Sequence, residues 1–186
     1  TVKLVEVFGG SDEAHVGNHA TYIAVGKGAS VTHVTVDLSG GKATHLASNE
    51  YHLADDARLR TLVMHRGAAL ARTQLFPRFG GANAHADLTG LNLVAGSQHA
   101  DITMDASHAV AHTTSKPLFK SIARGQGVAV VQGRLVVERD AQKTDAKLMA
   151  QGLMLSDEAQ ILAKPELEIY ADDVVCGHGA TCGRLD

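Results

Sequence analysis

The segment Asp173–Asp186, DVVCGHGATCGRLD, holds the only two cysteines of the chain, Cys176 and Cys182, on either side of His178 and among Gly177, Gly179 and Gly183. Thiolate and imidazole suit transition metals and iron–sulfur chemistry, whereas oxygen-rich sites suit magnesium or calcium. Positions i and i+2 of a strand point to one face, so Cys176 and His178 can meet a single ligand or partner. Cys182 reads as lying beyond a glycine-flanked bend. A closed structural zinc site needs four ligands and this segment offers three, so an open site completed by another chain fits better. His178, with a reference pKa of about 6.5, is a neutral imidazole at neutral pH, whereas a thiol with a reference pKa of about 8.5 is a few per cent ionised. His178 therefore ranks first as a metal or cluster ligand and Cys176 second. The plain alternative makes Cys176 a small buried hydrophobe and His178 an ordinary surface residue.

Other groups offer less. His108 and His112 form an H-x-x-x-H pair, and the alanines around them allow a helical turn, but no Glu sits between them as a zinc protease requires. The pairs Asp55-Asp56 and Asp172-Asp173 are adjacent, point to opposite faces of any strand, and read as solvated corners. The glycines around His178 imitate a dinucleotide fingerprint without the helix and downstream carboxylate it needs. No P-loop or Gly-x-Ser-x-Gly elbow is present. No catalytic residue is assigned.

The elements that must carry these side chains are strands. Val31, His33 and Thr35 alternate with Thr32, Val34 and Val36, and Leu167 and Ile169 alternate with Glu166 and Glu168. A small residue followed two positions later by Leu or Ile recurs at Ala57/Leu59, Ala68/Leu70, Ala100/Ile102, Ala146/Leu148 and Ala159/Ile161. Such self-similarity suits a solenoid with half-coils of about a dozen residues, each coil covering the apolar face of the next. An antiparallel sandwich, with strands every ~8–12 residues, fits the same pattern. A length of 186 residues and 45% apolar content suit one folded domain, residues 1–186.

Aromatics make up 4% of the chain and no basic stripe accompanies the net charge of −3, which argues against nucleic acid. No apolar run reaches the ~20 residues of a membrane span, and the first residues do not read as a signal peptide. Two cysteines are too few for a disulfide framework, and with His178 beside them they read as cytosolic thiols.

The final third resembles a known family. The residues that carry the likeness are Glu138–Ala146, Leu153–Ser156, Lys164–Val174, His178–Gly183 and, upstream, His108–Ser115 with Phe119-Lys120. Together they look like the SufB/SufD family of iron–sulfur cluster assembly proteins, with the stretch around Cys176 and His178 closer to the SufD branch. The resemblance spans roughly residues 105–186 and is diffuse before that.

It implies an all-β, right-handed parallel β-helix of flattened coils. It also implies a non-catalytic scaffold in a cytoplasmic complex with SufB and the ATPase SufC. In the family, the histidine of the HGAT block belongs to a cluster-assembly site at the interface with SufB. That role carries onto His178 and, less directly, Cys176, as ligands of a transient iron–sulfur cluster or iron. Cys182 stands where relatives have an apolar residue. The helices that flank the family's β-helix and bind SufC have no counterpart here, so the chain reads as a core.

The expected joint is the C-terminal edge, paired with SufB or, in isolation, with a second copy. Two rivals remain: a polysaccharide-acting β-helix enzyme, and a simple metal-binding module using Cys176, His178 and Cys182.

Overall fold

Alternation with period two is the organising signal, and thirteen strands realise it. They are β1 (Val2–Gly9), β2 (Val16–Val25), β3 (Ser30–Leu38), β4 (Thr44–Leu53), β5 (Arg58–His65), β6 (Leu70–Phe79) and β7 (His85–Val94). After these come β8 (His99–His108), β9 (Thr114–Ala123), β10 (Val128–Val137), β11 (Asp145–Met154), β12 (Gln160–Ile169) and β13 (Val175–Arg184). The computed structural model describes residues 1–185. Odd-numbered strands form one seven-stranded sheet and even-numbered strands a six-stranded sheet, each in order along the stack. Every pairing is parallel, between a strand and the one two further on. The result is a parallel β-solenoid of about 6 turns, not a sandwich.

The first five strands begin at Val2, Val16, Ser30, Thr44 and Arg58, a step of 14 residues, so a half-coil is longer than the dozen expected. The alanine motif marks corners correctly where the alanine precedes a strand: Ala57 and Ala159 are buried immediately before β5 and β12. Leu70, counted in the same motif, instead points outward, and the buried neighbour is Ala71.

Corners stack as regularly as strands. Gly28, Asp56, Asn83, His112 and Lys143 occupy equivalent turns and all have φ between 57° and 65°. Their backbones connect coil to coil through Gly28 N–H to Asp55 O (2.9 Å), Asp56 N–H to Ala82 O (2.9 Å) and His112 N–H to Gln142 O (2.9 Å). Elsewhere coils touch so closely that a Cβ on Gly81 would lie 2.0 Å from the Ala54 carbonyl carbon.

The interior is a ladder of Leu59, Leu75, Leu88, Ile102, Met104, Phe119, Leu135 and Leu148, all buried. Apolar burial of this kind stabilises by roughly 25 cal/mol per Å². Polar residues also point inward: His33, Asp37, His45, His65, Asn92 and His108 are all buried.

Candidate functional site

Register decides which face of β13 looks inward. Cys176, His178, Ala180 and Cys182 pair with Ala146, Leu148, Ala150 and Gly152 of β11. The first three of those partners belong to the buried core. Cys176, His178, Ala180 and Cys182 therefore continue the inner face of the solenoid. Gly177, Gly179, Thr181 and Gly183 face out, leaving a nearly bare backbone.

β13 hydrogen-bonds to β11 on one side and ends the sheet on the other. Cys176 is half-buried against the apolar core beside Ala146, while His178 is exposed. A depression of about 270 Å³ lies at this point, lined by Lys147, Leu148, Met149, Gly177, His178 and Gly179. Burial raises the Cys176 thiol above its ordinary value, a hydrogen bond with the Ala146 backbone opposes this, and Asp145 and Lys147 act in opposite directions. His178 makes no side-chain hydrogen bond among the described residues, so its imidazole is free for a partner.

The bend expected before Cys182 does not exist. β13 is continuous, so Cys182 stays on the inner face, with its Sγ 3.1 Å from where a Gly152 Cβ would sit. Six residues of strand put Cys176 about 20 Å from Cys182. A disulfide tolerates a Cα separation of about 7 Å at most, and both cysteines are free. One chain therefore cannot bring Cys176, His178 and Cys182 to one ion. No group of three or more His, Cys, Asp and Glu side chains placed to hold a metal occurs among the described residues.

The helical turn at His108 is also absent. His108 closes β8, stacks on Phe79 at 4.1 Å, and bonds through Nδ1 to Thr113 Oγ1 (2.8 Å) and through Nε2 to Ser115 Oγ (2.9 Å). His112 sits in the following turn at φ 62°, so the two imidazoles serve different corners. Asp55-Asp56 and Asp172-Asp173 lie on exposed corners, as expected.

A depression of about 490 Å³ lies elsewhere, on the outer face of the six-stranded sheet beside Arg72, His99 and Asp101. Carboxylates and arginines do share that face, which sequence spacing did not anticipate. They form a ladder: Asp105 meets Arg78 Nη1 at 2.6 Å and Arg134 Nε at 3.7 Å, and Arg134 reaches Glu168 at 3.1 Å. Asp101 lies 3.8 Å from Arg72 and accepts a bond from Thr103. Carboxylates neutralised in this way are poor acids or bases for glycoside chemistry, which needs one raised and one free.

Sequence reading also missed an inner polar row. Asp37, His65, Asn92, Ser121, Gly152 and Cys182 are consecutive register partners along the seven-stranded sheet. Their spacing of about one coil was the available signal, but it is invisible until the coil length is known.

The sequence model of the SUF system iron–sulfur cluster assembly SufBD core domain matches residues 1–186. The chain belongs to this family. It is 31% identical to the iron–sulfur cluster assembly protein SufD of Escherichia coli over 176 residues, covering 95% of this chain and 42% of the relative. An iron–sulfur cluster assembly SufBD family protein of Synechocystis is 30% identical, with 94% and 38% covered. The Bacillus subtilis SufD is 27% identical, with 92% and 39% covered. The chain thus spans about two fifths of the length of these relatives. Within the family it is SufD-like.

Proposed function

We propose that this SufD-like core is a non-catalytic scaffold that supplies half of a shared cluster-assembly site, with His178 as ligand and Cys176 in support. The cluster, or the iron destined for it, is cargo held transiently. The single observation that carries the reading is positional. His178 and Cys176 stand on the inner row of β13, which ends the seven-stranded sheet among the described residues. Their donors are soft, and His178 is exposed.

A SufB-like subunit would pair with this edge in a cytoplasmic complex and complete the donor set. A second copy would do so in isolation. The ATPase SufC would be engaged by parts of the full-length protein outside this core. Donor chemistry agrees with the order of ligands: a neutral imidazole binds iron without losing a proton, whereas the raised Cys176 thiol must ionise first.

The test replaces His178 by Ala in the full-length complex. Cluster formation should fall to background while the subunits still co-purify. Wild-type cluster yield on an intact complex would remove His178 from the site.

A further inference from the structure

We propose that His15, His19 and His45 form a three-imidazole site for a divalent transition-metal cation of the zinc type. The site lies at the corner where the chain turns from β1 into β2, at the opposite end of the stack from β13. Six strand spacings separate the two ends, roughly 29 Å, so the site shares no residue with the Cys176–His178 region.

The first observation is a contrast among buried histidines. His33, His45, His65 and His108 all face the interior with 4% exposure or less. Three of them have both ring nitrogens partnered. His33 bonds to Tyr51 and Glu6, His65 to Asn92 and Thr73, and His108 to Thr113 and Ser115. His45 makes no side-chain hydrogen bond among the described residues. A buried polar group without a partner is costly, and native interiors rarely carry one. What His45 has instead is open space: it lines a depression of about 260 Å³ together with Phe8, His15, Gly17, His19 and Ser39.

The other two imidazoles are prepared in the same sense. His15 Nδ1 donates to the Glu13 backbone oxygen at 3.0 Å, which leaves Nε2 with a bare lone pair. An N–H given to a carbonyl is the usual way a metal-binding histidine is oriented. His19 makes no side-chain hydrogen bond among the described residues. Its Nε2 lies 2.9 Å from where a Cβ on Gly17 would sit, and His15 Nε2 lies 3.1 Å from where one on Gly10 would. Glycine at both positions therefore keeps these nitrogens open.

Spacing agrees with coordination. Two imidazoles sharing a tetrahedral ion through bonds of about 2.0–2.1 Å have ring centroids roughly 5 Å apart. The His19 and His45 centroids are 5.3 Å apart, and Phe8 packs on both rings, at 4.2 and 4.8 Å. As the side chains stand, no three donors are placed to hold an ion among the described residues. His15 is the member that moves. It is exposed on the turn between β1 and β2, and its one bond is to a residue of that same turn. The cation thus draws the turn onto the pair that β2 and β4 hold fixed, and so ties one coil to the next.

Charge and donor type choose the ligand class. Ser39 and Ala68 N–H groups, both at 3.0 Å, hold the Asp37 carboxylate near this corner. Burial lowers the His45 pKa and the Asp37 charge opposes it, so the imidazole is neutral at pH 7 in a field that favours a cation. An anion would meet that carboxylate. Neutral imidazoles suit zinc, copper, iron and nickel, whereas magnesium and calcium take oxygen donors.

The test uses the protein without a histidine tag, cobalt(II) as the optical probe and zinc(II) as its competitor. Wild type should show the visible bands of tetrahedral cobalt without thiolate-to-cobalt charge transfer, and zinc should abolish them. His15→Gln, His19→Gln and His45→Gln should each weaken binding at least tenfold, and Gly17→Ala should do so by filling the space at His19 Nε2. Zinc at 100 times its Kd should raise the wild-type thermal midpoint by about 5–10 °C and leave the three histidine variants unmoved. Circular dichroism of the metal-free variants separates lost ligation from lost folding, and His15, being exposed, keeps the test valid if His45→Gln does not fold. Wild-type affinity in any folded histidine variant, or no cobalt bands in wild type, overturns the site. Cobalt bands that carry thiolate charge transfer and survive all three substitutions overturn it too, because the ion would then sit at a cysteine.

Discussion

Acidification from pH 7.5 to pH 5.5 should cost the fold about 2–3 kcal/mol through His65 and His108, whose pKa values burial lowers to about 4. At His65 the hydrogen bond with Asn92 and the Asp37 charge oppose the effect of burial without reversing it. Geometry explains why the neutral form is required. The Asn92 amide donates to Val130 O at 3.1 Å and so turns its carbonyl oxygen toward His65 Nδ1 at 2.9 Å. Nδ1 must therefore donate, and Nε2 accepts from Thr73 Oγ1 at 2.8 Å. A second proton on Nε2 would break that bond inside the core.

The sign follows from linkage. The unfolded chain, with His near ~6.5, binds more protons than the folded one between pH 6.5 and 4, so stability is complete above that window and falls as the pH drops through it. Each histidine contributes ~1.3 kcal/mol between pH 7.5 and 5.5, and ~3 kcal/mol once the pH is below 4. His45, also lowered, first by burial and then by His19, with Asp37 opposing, adds in the same direction. Burial raises the Asp37 carboxyl, but hydrogen bonds from Ser39 and Ala68 outweigh it and leave the pKa below its ordinary value of 3.8, outside this range. Urea denaturation followed by far-ultraviolet circular dichroism should show a midpoint lower by about 1 M at pH 5.5, taking ~2–3 kcal/mol per M as the slope. His108→Gln, less stable at pH 7.5, should show roughly half the wild-type pH dependence. An unchanged or higher midpoint at pH 5.5 would refute the account of the polar interior.

Adjacent glycines give a matched test of coil stacking. Gly81→Ala puts a methyl group 2.0 Å from the Ala54–Asp55 backbone, whereas the nearest atom to a Cβ on Gly80 is Leu53 O at 3.9 Å. Gly81→Ala should cost about 3 kcal/mol or more and Gly80→Ala under about 1, and equal losses in thermal unfolding would contradict the stacking. Phe119→Ala, at a fully buried ring lying over Gly90, should cost about 3–5 kcal/mol by the same measurement, and a loss below 1 would place the ring outside the core. Ala180→Lys adds a charge to the exposed inner row of β13 and should leave stability unchanged while abolishing self-association. Persistence of the dimer in light scattering would move the joint away from this edge.

The strands were legible because alternation survives in nearly every one, and the corners because small residues such as Ala57 and Ala159 must sit where the chain turns. The face was harder. In β3 hydropathy favours Val34 and Val36 as the inward pair, yet His33, Thr35 and Asp37 are the buried ones. His33 is accommodated by Tyr51 Oη at 2.9 Å and Glu6 at 2.6 Å, and the outer face of this sheet carries a mostly apolar row of its own, Val34, Leu62, Thr89, Leu118 and Met149. Parallel sheets apolar on both sides erase the contrast that alternation depends on.

That Cys176 and His178 share one face of a strand was legible from their i, i+2 spacing. Cys182 was misread because Gly177, Gly179 and Gly183 suggested a bend. On an end strand those glycines cost little and leave the outer face bare, so the strand runs straight through them.

Nitrogen coupling to the assembled cluster tests the central claim most directly. A full-length complex in which this subunit alone carries [15N]histidine should show 15N hyperfine coupling in the electron spin-echo spectrum of the reduced cluster. That coupling should vanish when His178 is Ala. A cluster formed at wild-type yield without any nitrogen coupling from this chain would contradict the assignment of His178 as its ligand.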